Sequence, residues 1–172
     1  MSEWTHKNIR IVFVILVLVM SGCAGAKSNL EIAKTSTSQS ELENLISRPS
    51  VPMLRMHVAA NPHASSGTLE KLASDSDASV RYYVAANPNT SSSSLEELAN
   101  DSVSRIRYRV AENPNTPIGT LKKLARDFEP RVRCGVGVNP NTPKDLIEKL
   151  ANDVDPDVRS CVAKNQKTLR KK

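Results

Sequence analysis

The sequence predicts an all-α fold, a right-handed α-solenoid of about four to five repeats of 26 residues with two helices each. Three observations support this prediction: polar residues recur at a constant step of 26, leucines within each unit recur at helical spacing, and Asn-Pro ends most units. Self-similarity at such a period is the signature of a repeat array. The columns that keep the step are Arg55, Arg81, Arg107, Arg133 and Arg159; Asn61, Asn87, Asn113, Asn139 and Asn165; and Asp75, Asp101, Asp127 and Asp153.

Each unit is predicted to contain a first helix of about ten residues and a second helix of about six residues. In one unit, Thr116 and Pro117 supply an N-cap and a proline at the first helical position, and Leu121 and Leu124 then share one face. The second helix is placed at residues 132–136 and is ended by Asn-Pro, because a residue before proline is pushed out of the α region. Isolated helices shorter than roughly 12–15 residues are marginal in water, so each repeat must be buried against its neighbours.

The regular repeats occupy residues 69–163, and residues 42–68 hold an earlier, degenerate unit. The last unit has Gln166 where the other units have proline, and it runs into a basic tail at residues 164–172. These departures from the repeat are expected of terminal caps, which have a neighbour on one side only.

The N-terminus has the organisation of an export signal. Lys7 and Arg10 precede the continuous apolar run of residues 11–20, which is shorter than the roughly 20 residues of a membrane-spanning helix. Residues 20–23, Met-Ser-Gly-Cys, resemble the bacterial lipobox. The resemblance implies cleavage before Cys23 and acylation of this cysteine.

This resemblance divides the region into a lipoprotein signal peptide, residues 1–22, and an acylated, flexible, Ser/Thr-rich tether, residues 23–41. Acyl chains on Cys23 would anchor the domain without a spanning helix, and Ala24 is compatible with an outer-membrane location facing the periplasm. The alternative is ordinary cleavage after Ala26, which would release a soluble periplasmic or secreted protein.

The formal charge of +6 is concentrated at the chain ends. Residues 1–22 carry a net charge of +1 and residues 164–172 carry +5, so residues 23–163 are neutral overall. A protein that binds duplex nucleic acid normally has a basic stripe on its fold, so this distribution opposes a nucleic-acid partner. The basic tail is either a solvated end or a contact for anionic lipid headgroups.

The repeat consensus resembles that of a known family. The patterns LxxLAxD and VRxxVAxNPNTP, found over about residues 42–168, are similar to those of the leucine-rich repeat variant family, bacterial α-solenoids related in architecture to HEAT and armadillo arrays. The resemblance implies that an α-helix alternates with a 3₁₀-like helix. Some members carry an iron–sulfur segment, but a cubane cluster needs about four cysteine ligands and only Cys134 and Cys161 remain after lipidation, so no cluster is expected.

Columns that are identical in every repeat are predicted to form the scaffold. Each arginine is expected to bridge to a repeat aspartate or to cap the carbonyls of a neighbouring turn, because the guanidinium fork suits such a ladder. Each asparagine is expected to bond loop backbone between turns. Binding residues should therefore lie where the repeats differ.

Side chains that differ between repeats gather on the second helices. Tyr82 and Tyr108 belong to a column that points away from the core valines, and Tyr83 and Arg109 belong to the next column. Tyrosine and arginine are enriched among interface hot spots. The alternative is that these rings only pack over the ridge between repeats. The predicted partner-binding patch comprises Tyr82, Tyr83, Tyr108 and Arg109, with Met56 and His57 nearby.

The two cysteines of the repeats, Cys134 and Cys161, are 27 residues apart, one more than the repeat length. Stacked helices lie about 8–10 Å apart and a disulfide needs Cα atoms within roughly 7 Å. We therefore expect half-buried free thiols in preference to a strained bond.

The sequence contains no pattern typical of catalysis, a cofactor or a metal site. His57 and His63 are the only histidines beyond the leader. The expected function is a protein-binding or scaffold module of the bacterial cell envelope, without catalytic activity, with an unknown protein ligand and a membrane anchor at Cys23. The alternatives are a soluble binding effector or inhibitor and, opposed by the export signal, a nucleic-acid-binding HEAT-like repeat.

Overall fold

The structure is a computed structural model that describes residues 27–47 and 51–169. The signal peptide, Cys23 and the alternative cleavage site after Ala26 lie outside the described residues. In the described part of the chain, every regular element is an α-helix. The helices are α1 (Asn29–Thr35), α2 (Gln39–Ser47), α3 (Pro52–Ala60), α4 (Ser66–Ala73), α5 (Ala78–Ala86), α6 (Ser92–Leu98), α7 (Ser104–Glu112), α8 (Ile118–Leu124), α9 (Pro130–Val138), α10 (Lys144–Leu150) and α11 (Pro156–Leu169).

The helices form two rows, which confirms the predicted all-α solenoid. The first helices of the repeats are α2, α4, α6, α8 and α10, and the second helices are α3, α5, α7, α9 and α11. Each second helix packs directly on the second helix of the next repeat, whereas contacts between successive first helices are sparser. The second-helix row is therefore the tightly packed side of the stack. No helix in the described part of the chain combines the length and apolarity needed to cross a membrane.

The predicted helix lengths of ten and six residues are wrong. The first helix is seven residues long in three repeats, and the second helices α5, α7 and α9 have nine residues each. Pro117 is the N-cap of α8 and precedes the helix, while Pro130 occupies the first turn of α9 and starts that helix early. Both helices of each described repeat are α-helices, so the 3₁₀-like helix implied by the family resemblance is not found there.

Asparagine before proline ends the second helices, as the sequence predicts. Asn61, Asn87, Asn113 and Asn139 are helix C-caps with ψ between 125° and 129°. Asn165 is different, because Gln166 replaces the proline and α11 continues through Leu169. Asn165 therefore does not end its helix as the other members of its column do, and residues 164–169 of the predicted basic tail are helical.

The predicted tether is also wrong for residues 27–41, because α1 and the start of α2 lie there. Ser28 caps α1 by accepting a hydrogen bond from the backbone N–H of Glu31. Ala33 is fully buried and α1 packs on α3, so α1 extends the second-helix row by one helix. The serines that suggested a linker are in part helix caps.

The core is built from small and aliphatic side chains. Leu69, Leu95 and Leu121 are fully buried at equivalent positions of the first helices, and valines and alanines of the second helices cover them. Tyr82, Tyr83 and Tyr108 are only partly buried against this core. The aromatic rings are therefore available at the surface of the second-helix row.

Candidate functional site

The arginine column forms a ladder between repeats. Arg107 donates from Nε and Nη2 to both carboxylate oxygens of Asp127, at 2.7 and 3.0 Å, and from Nη1 to the carbonyl oxygens of Asp101 and Ser102, at 2.7 and 3.2 Å. The bridge to aspartate and the capping of turn carbonyls thus occur together. Arg81 and Arg133 repeat this arrangement, Arg55 pairs with Asp75, and Arg159 donates to the carbonyl oxygens of Asp153 and Val154.

The ladder aspartates are held in their charged form. Hydrogen bonds from Arg55 and Arg133 are the main reason why the pKa values of Asp75 and Asp153 are below the usual range. Burial pushes the pKa values of Asp101 and Asp127 upward, but the hydrogen bonds and charges of their arginines outweigh burial and lower these values as well. Each pair is therefore an ionised link from one repeat to the next.

The asparagine column forms a second, buried ladder. Asn113 donates from Nδ2 to the carbonyl oxygens of Ala85 and Asn87, at 2.9 and 3.0 Å, and its Oδ1 accepts the backbone N–H of Asn115. The Ala85 carbonyl belongs to the last turn of α5, where no intrahelical donor remains. Asn61, Asn87 and Asn139 make the same contacts in their repeats.

Neither ladder distinguishes one repeat from another, so both belong to the scaffold. The second-helix row, in contrast, carries a cavity of about 360 Å³ where the repeats differ. It brings together four of the six residues predicted for the partner-binding patch. The lining residues are Met56, Ser79, Tyr82, Tyr83, Arg105, Tyr108 and Arg131.

Arg109 organises the rings beside this cavity. Its Nε donates to the Tyr82 hydroxyl at 2.6 Å, and its guanidinium carbon lies 4.9 Å from the Tyr82 ring centroid and 5.6 Å from that of Tyr108. Glu112 accepts from Arg109 Nη1 at 2.8 Å and also from the Tyr108 hydroxyl. Burial, followed by the hydrogen bond to Glu112, raises the pKa of Tyr108 above its usual value. These contacts fix two rings and one guanidinium in a single arrangement.

Two further contacts determine how the rings sit. Tyr83 meets Tyr82 edge to face, with 5.3 Å between ring centroids. Gly135 of α9 faces α7, where an added Cβ would lie 2.9 Å from the Cβ of Ala111 and 3.0 Å from Cδ2 of Tyr108. The missing side chain at Gly135 thus lets α9 approach Tyr108 and Ala111 of α7 closely.

Three residues that line the cavity were not predicted from the sequence, and one predicted residue, His57, does not line it. Ser79, Arg105 and Arg131 stand three residues before the column of Tyr82 and Tyr108, a spacing that places them on the same helix face. The Arg131 guanidinium carbon lies 5.0 Å from the Tyr108 ring centroid. A search for residues at i−3 from the tyrosine column would have found all three.

His57 is not among the residues that line the cavity. Burial, and then the charge of Lys34 on α1, lower its pKa. The charge that acts on His57 thus lies on the preceding helix of the row, whereas Tyr82 and Tyr108 contact arginines of the following helices.

The expectation of free thiols is wrong, because Cys134 and Cys161 form a disulfide between α9 and α11 with 5.6 Å between their Cα atoms. Successive second helices are staggered, so the residue at i contacts the residue at i+27, as Tyr82 contacts Arg109. Gly137 also allows close approach, since an added Cβ would lie 2.8 Å from Cγ2 of Val162. A spacing of 27 residues, one more than the repeat length, therefore brings the two cysteines into contact.

The arrangement is suited to non-covalent binding. Within residues 27–47 and 51–169, no group of three His, Cys, Asp or Glu side chains is placed to hold a metal ion. Stacked repeats of this kind present an extended surface, which is the usual architecture of a binding or scaffold module.

No protein-family model matches the sequence, and no curated protein matches it either. The chain is similar to a solved structure described as "a leucine-rich repeat variant with a novel repetitive protein structural motif", with 20% sequence identity and a TM-score of 0.38. The similar region covers 78% of this chain and 64% of the length of that structure.

Proposed function

We propose that this protein is a binding or scaffold module of the bacterial cell envelope that holds a protein partner on its second-helix row. The contact surface is the Tyr–Arg surface, which we define as the lining of the cavity together with Arg109. The observation that carries this proposal is the fixed arrangement of Tyr82, Tyr108 and Arg109. The protein acts by binding alone and without catalysis.

The chemistry of the Tyr–Arg surface favours a protein partner. Tyrosine and arginine bury large contact area while keeping a polar group for the partner, which is why they are enriched at hot spots. Because Arg109 and Glu112 already hold the two rings in place, little side-chain entropy remains to be lost on binding. The arginine and asparagine columns are identical in every repeat, so they offer no surface that is particular to one part of the stack.

The proposed location rests on the lipobox resemblance at Cys23 and is supported by one feature of the folded part. The Cys134–Cys161 disulfide is typical of an oxidising compartment such as the periplasm. Mass spectrometry of the mature N-terminus tests whether the protein is anchored by acyl chains or released by ordinary cleavage. An acylated N-terminal Cys23 supports a lipoprotein, and an N-terminal Lys27 supports the soluble alternative.

The binding proposal is tested by co-purification from the native envelope with three forms of the full chain. The Tyr82→Ala/Tyr108→Ala double variant should lose the co-purifying partner. Lys122→Ala, an exposed substitution on the first-helix row, should retain it. Thermal melting of each form checks folding. Retention of the same partner by the folded double variant would overturn the proposal.

A further inference from the structure

The Tyr–Arg surface carries two positive charges that no salt bridge in the described residues neutralises, although the Arg131 guanidinium lies against the Tyr108 ring. Arg105 and Arg131 occupy the same position of α7 and α9, both are exposed, and both line the cavity. Among the described residues no salt bridge joins either of them to a carboxylate, although the ladder arginines are all engaged with aspartates or turn carbonyls. The cavity thus combines tyrosine rings with unneutralised guanidinium groups.

Helix stability does not explain these two arginines. Both lie in the first turn of their helices, where the macrodipole favours acidic residues and disfavours cations. The equivalent residue of α11 is Asp157, which has the sign that the helix prefers. The helix dipole therefore does not account for arginine at these positions; one contact that this pair makes with the fold is that of Arg131 with the Tyr108 ring.

Two acidic side chains near the cavity, Glu112 and Asp77, already accept hydrogen bonds. Both carboxylate oxygens of Glu112 accept hydrogen bonds, one from Tyr108 and one from Arg109. Asp77, two residues before the cavity residue Ser79, accepts the backbone N–H of Ser79 as the N-cap of α5. Glu129, two residues before Arg131, makes no side-chain hydrogen bond as the N-cap of α9, but it does not line the cavity. The described lining itself contains no acid. An anion brought by a partner would therefore meet the two guanidiniums in a lining that holds no acid of its own.

We infer that the Tyr–Arg surface binds an acidic peptide segment, with a carboxylate held by Arg105 and Arg131 and an adjacent apolar side chain against Met56 and the tyrosine rings. This inference rests on the proposed function and names the chemistry of its partner. The guanidinium fork matches a carboxylate, and the cavity of about 360 Å³ accommodates a few side chains.

A peptide fits this surface better than a polyanion or an anionic membrane. Binding to a nucleic acid or to a lipid surface relies on many basic residues spread over a face. Residues 23–163 have no net charge, so the positive potential at the cavity is local. One carboxylate with apolar flanks matches a local site of this kind.

The test selects a displayed random peptide library on the purified full chain. Peptides enriched in Asp or Glu beside apolar residues are expected. The Arg105→Gln/Arg131→Gln variant should bind the selected peptides at least about tenfold more weakly, the loss of roughly one charged contact. Arg126→Gln, an exposed arginine next to the first-helix row, is the matched control and should bind them normally. The melting temperature should change by no more than about 4 °C, because relief of the unfavourable helix dipole offsets the loss of the Arg131 contact with the Tyr108 ring.

The outcomes separate this inference from the proposed function. Peptides without acidic enrichment that depend on Tyr82 and Tyr108 but not on the arginines overturn the acidic ligand and leave the binding surface in place. Failure to select any peptide that depends on this surface overturns the inference. Stronger arginine-dependent binding to tripolyphosphate, or to vesicles of equal parts phosphatidylglycerol and phosphatidylcholine, also overturns it in favour of a phosphate ligand.

Discussion

Asn113→Ala is predicted to destabilise the solenoid far more than the same substitution two residues later. The Asn113 side chain is only 4% exposed, donates to two carbonyl oxygens at 2.9 and 3.0 Å, and accepts one backbone N–H at 2.9 Å. Each hydrogen bond contributes about 1 kcal/mol net, so three of them amount to about 3 kcal/mol of unfolding free energy. For a domain of this size the melting temperature should fall by roughly 10 °C.

Asn115→Ala is the matched control for this prediction. Asn115 is exposed and its side chain donates only to the carbonyl oxygen of Pro88, so its loss should cost below about 1 kcal/mol. Urea unfolding followed by far-ultraviolet circular dichroism measures both variants against the parent chain. Equal destabilisation by the two substitutions, or a loss below about 1 kcal/mol for Asn113→Ala, would refute the role of the buried ladder.

Three further predictions concern the ladders and the second-helix row. Because folding lowers the pKa values of the ladder aspartates, the unfolded chain binds protons first. Their contribution to stability should therefore be constant above about pH 5 and fall as the pH drops towards the folded pKa values. His57, whose pKa folding also lowers, adds a separate loss of stability below about pH 6.5, so the aspartates are tested between pH 5 and pH 3, and a melting temperature at pH 3 no lower than at pH 5 would contradict their role. Gly135→Ala should displace Tyr108 and cost about 1–3 kcal/mol in urea unfolding, whereas Gly119→Ala, which has open space, should be neutral or stabilising. If the disulfide is present, the intact mass should rise by two hydrogens on reduction, and a mass unchanged by reductant excludes the bond. The Cys134→Ser/Cys161→Ser variant should lose about 3–4 kcal/mol of unfolding free energy, as expected for a closed loop of 27 residues.

The repeat register and the scaffold could be predicted from sequence because the same contacts recur in every unit. The hydrogen bonds of Arg107 and Asn113 join positions at fixed offsets of 20, 26 and 28 residues. The same contact can recur along the stack only if every repeat has the same residue at the equivalent position. Periodicity therefore reports the contacts between repeats even without knowledge of the helix ends.

Helix boundaries were harder to predict because they depend on single capping residues. Pro117 and Pro130 both stand at the start of a helix, yet Pro117 is the N-cap and precedes its helix, whereas Pro130 lies in the first turn. The same applies to Ser28, which looks like a linker residue but caps α1. Loss of one proline, at Gln166, is enough to lengthen α11 to 14 residues.

The candidate site required knowledge of how neighbouring second helices are staggered. A stagger of 27 residues places Arg109 on Tyr82 and Cys161 on Cys134, one position away from what the repeat length of 26 suggests. Arg105 and Arg131 were missed for a different reason, because they lie three residues, about one helical turn, before Tyr108 and Cys134 and share their helix face.

The central claim is that the partner contacts the second-helix row, and site-specific photo-crosslinking in living cells tests it most directly. A photoreactive residue at position 83 should give a crosslinked partner that disappears in the Arg105→Gln/Arg131→Gln background, while one at position 122 on the first-helix row should give none. A crosslinked partner obtained only from position 122, or equally from both positions, would contradict the account.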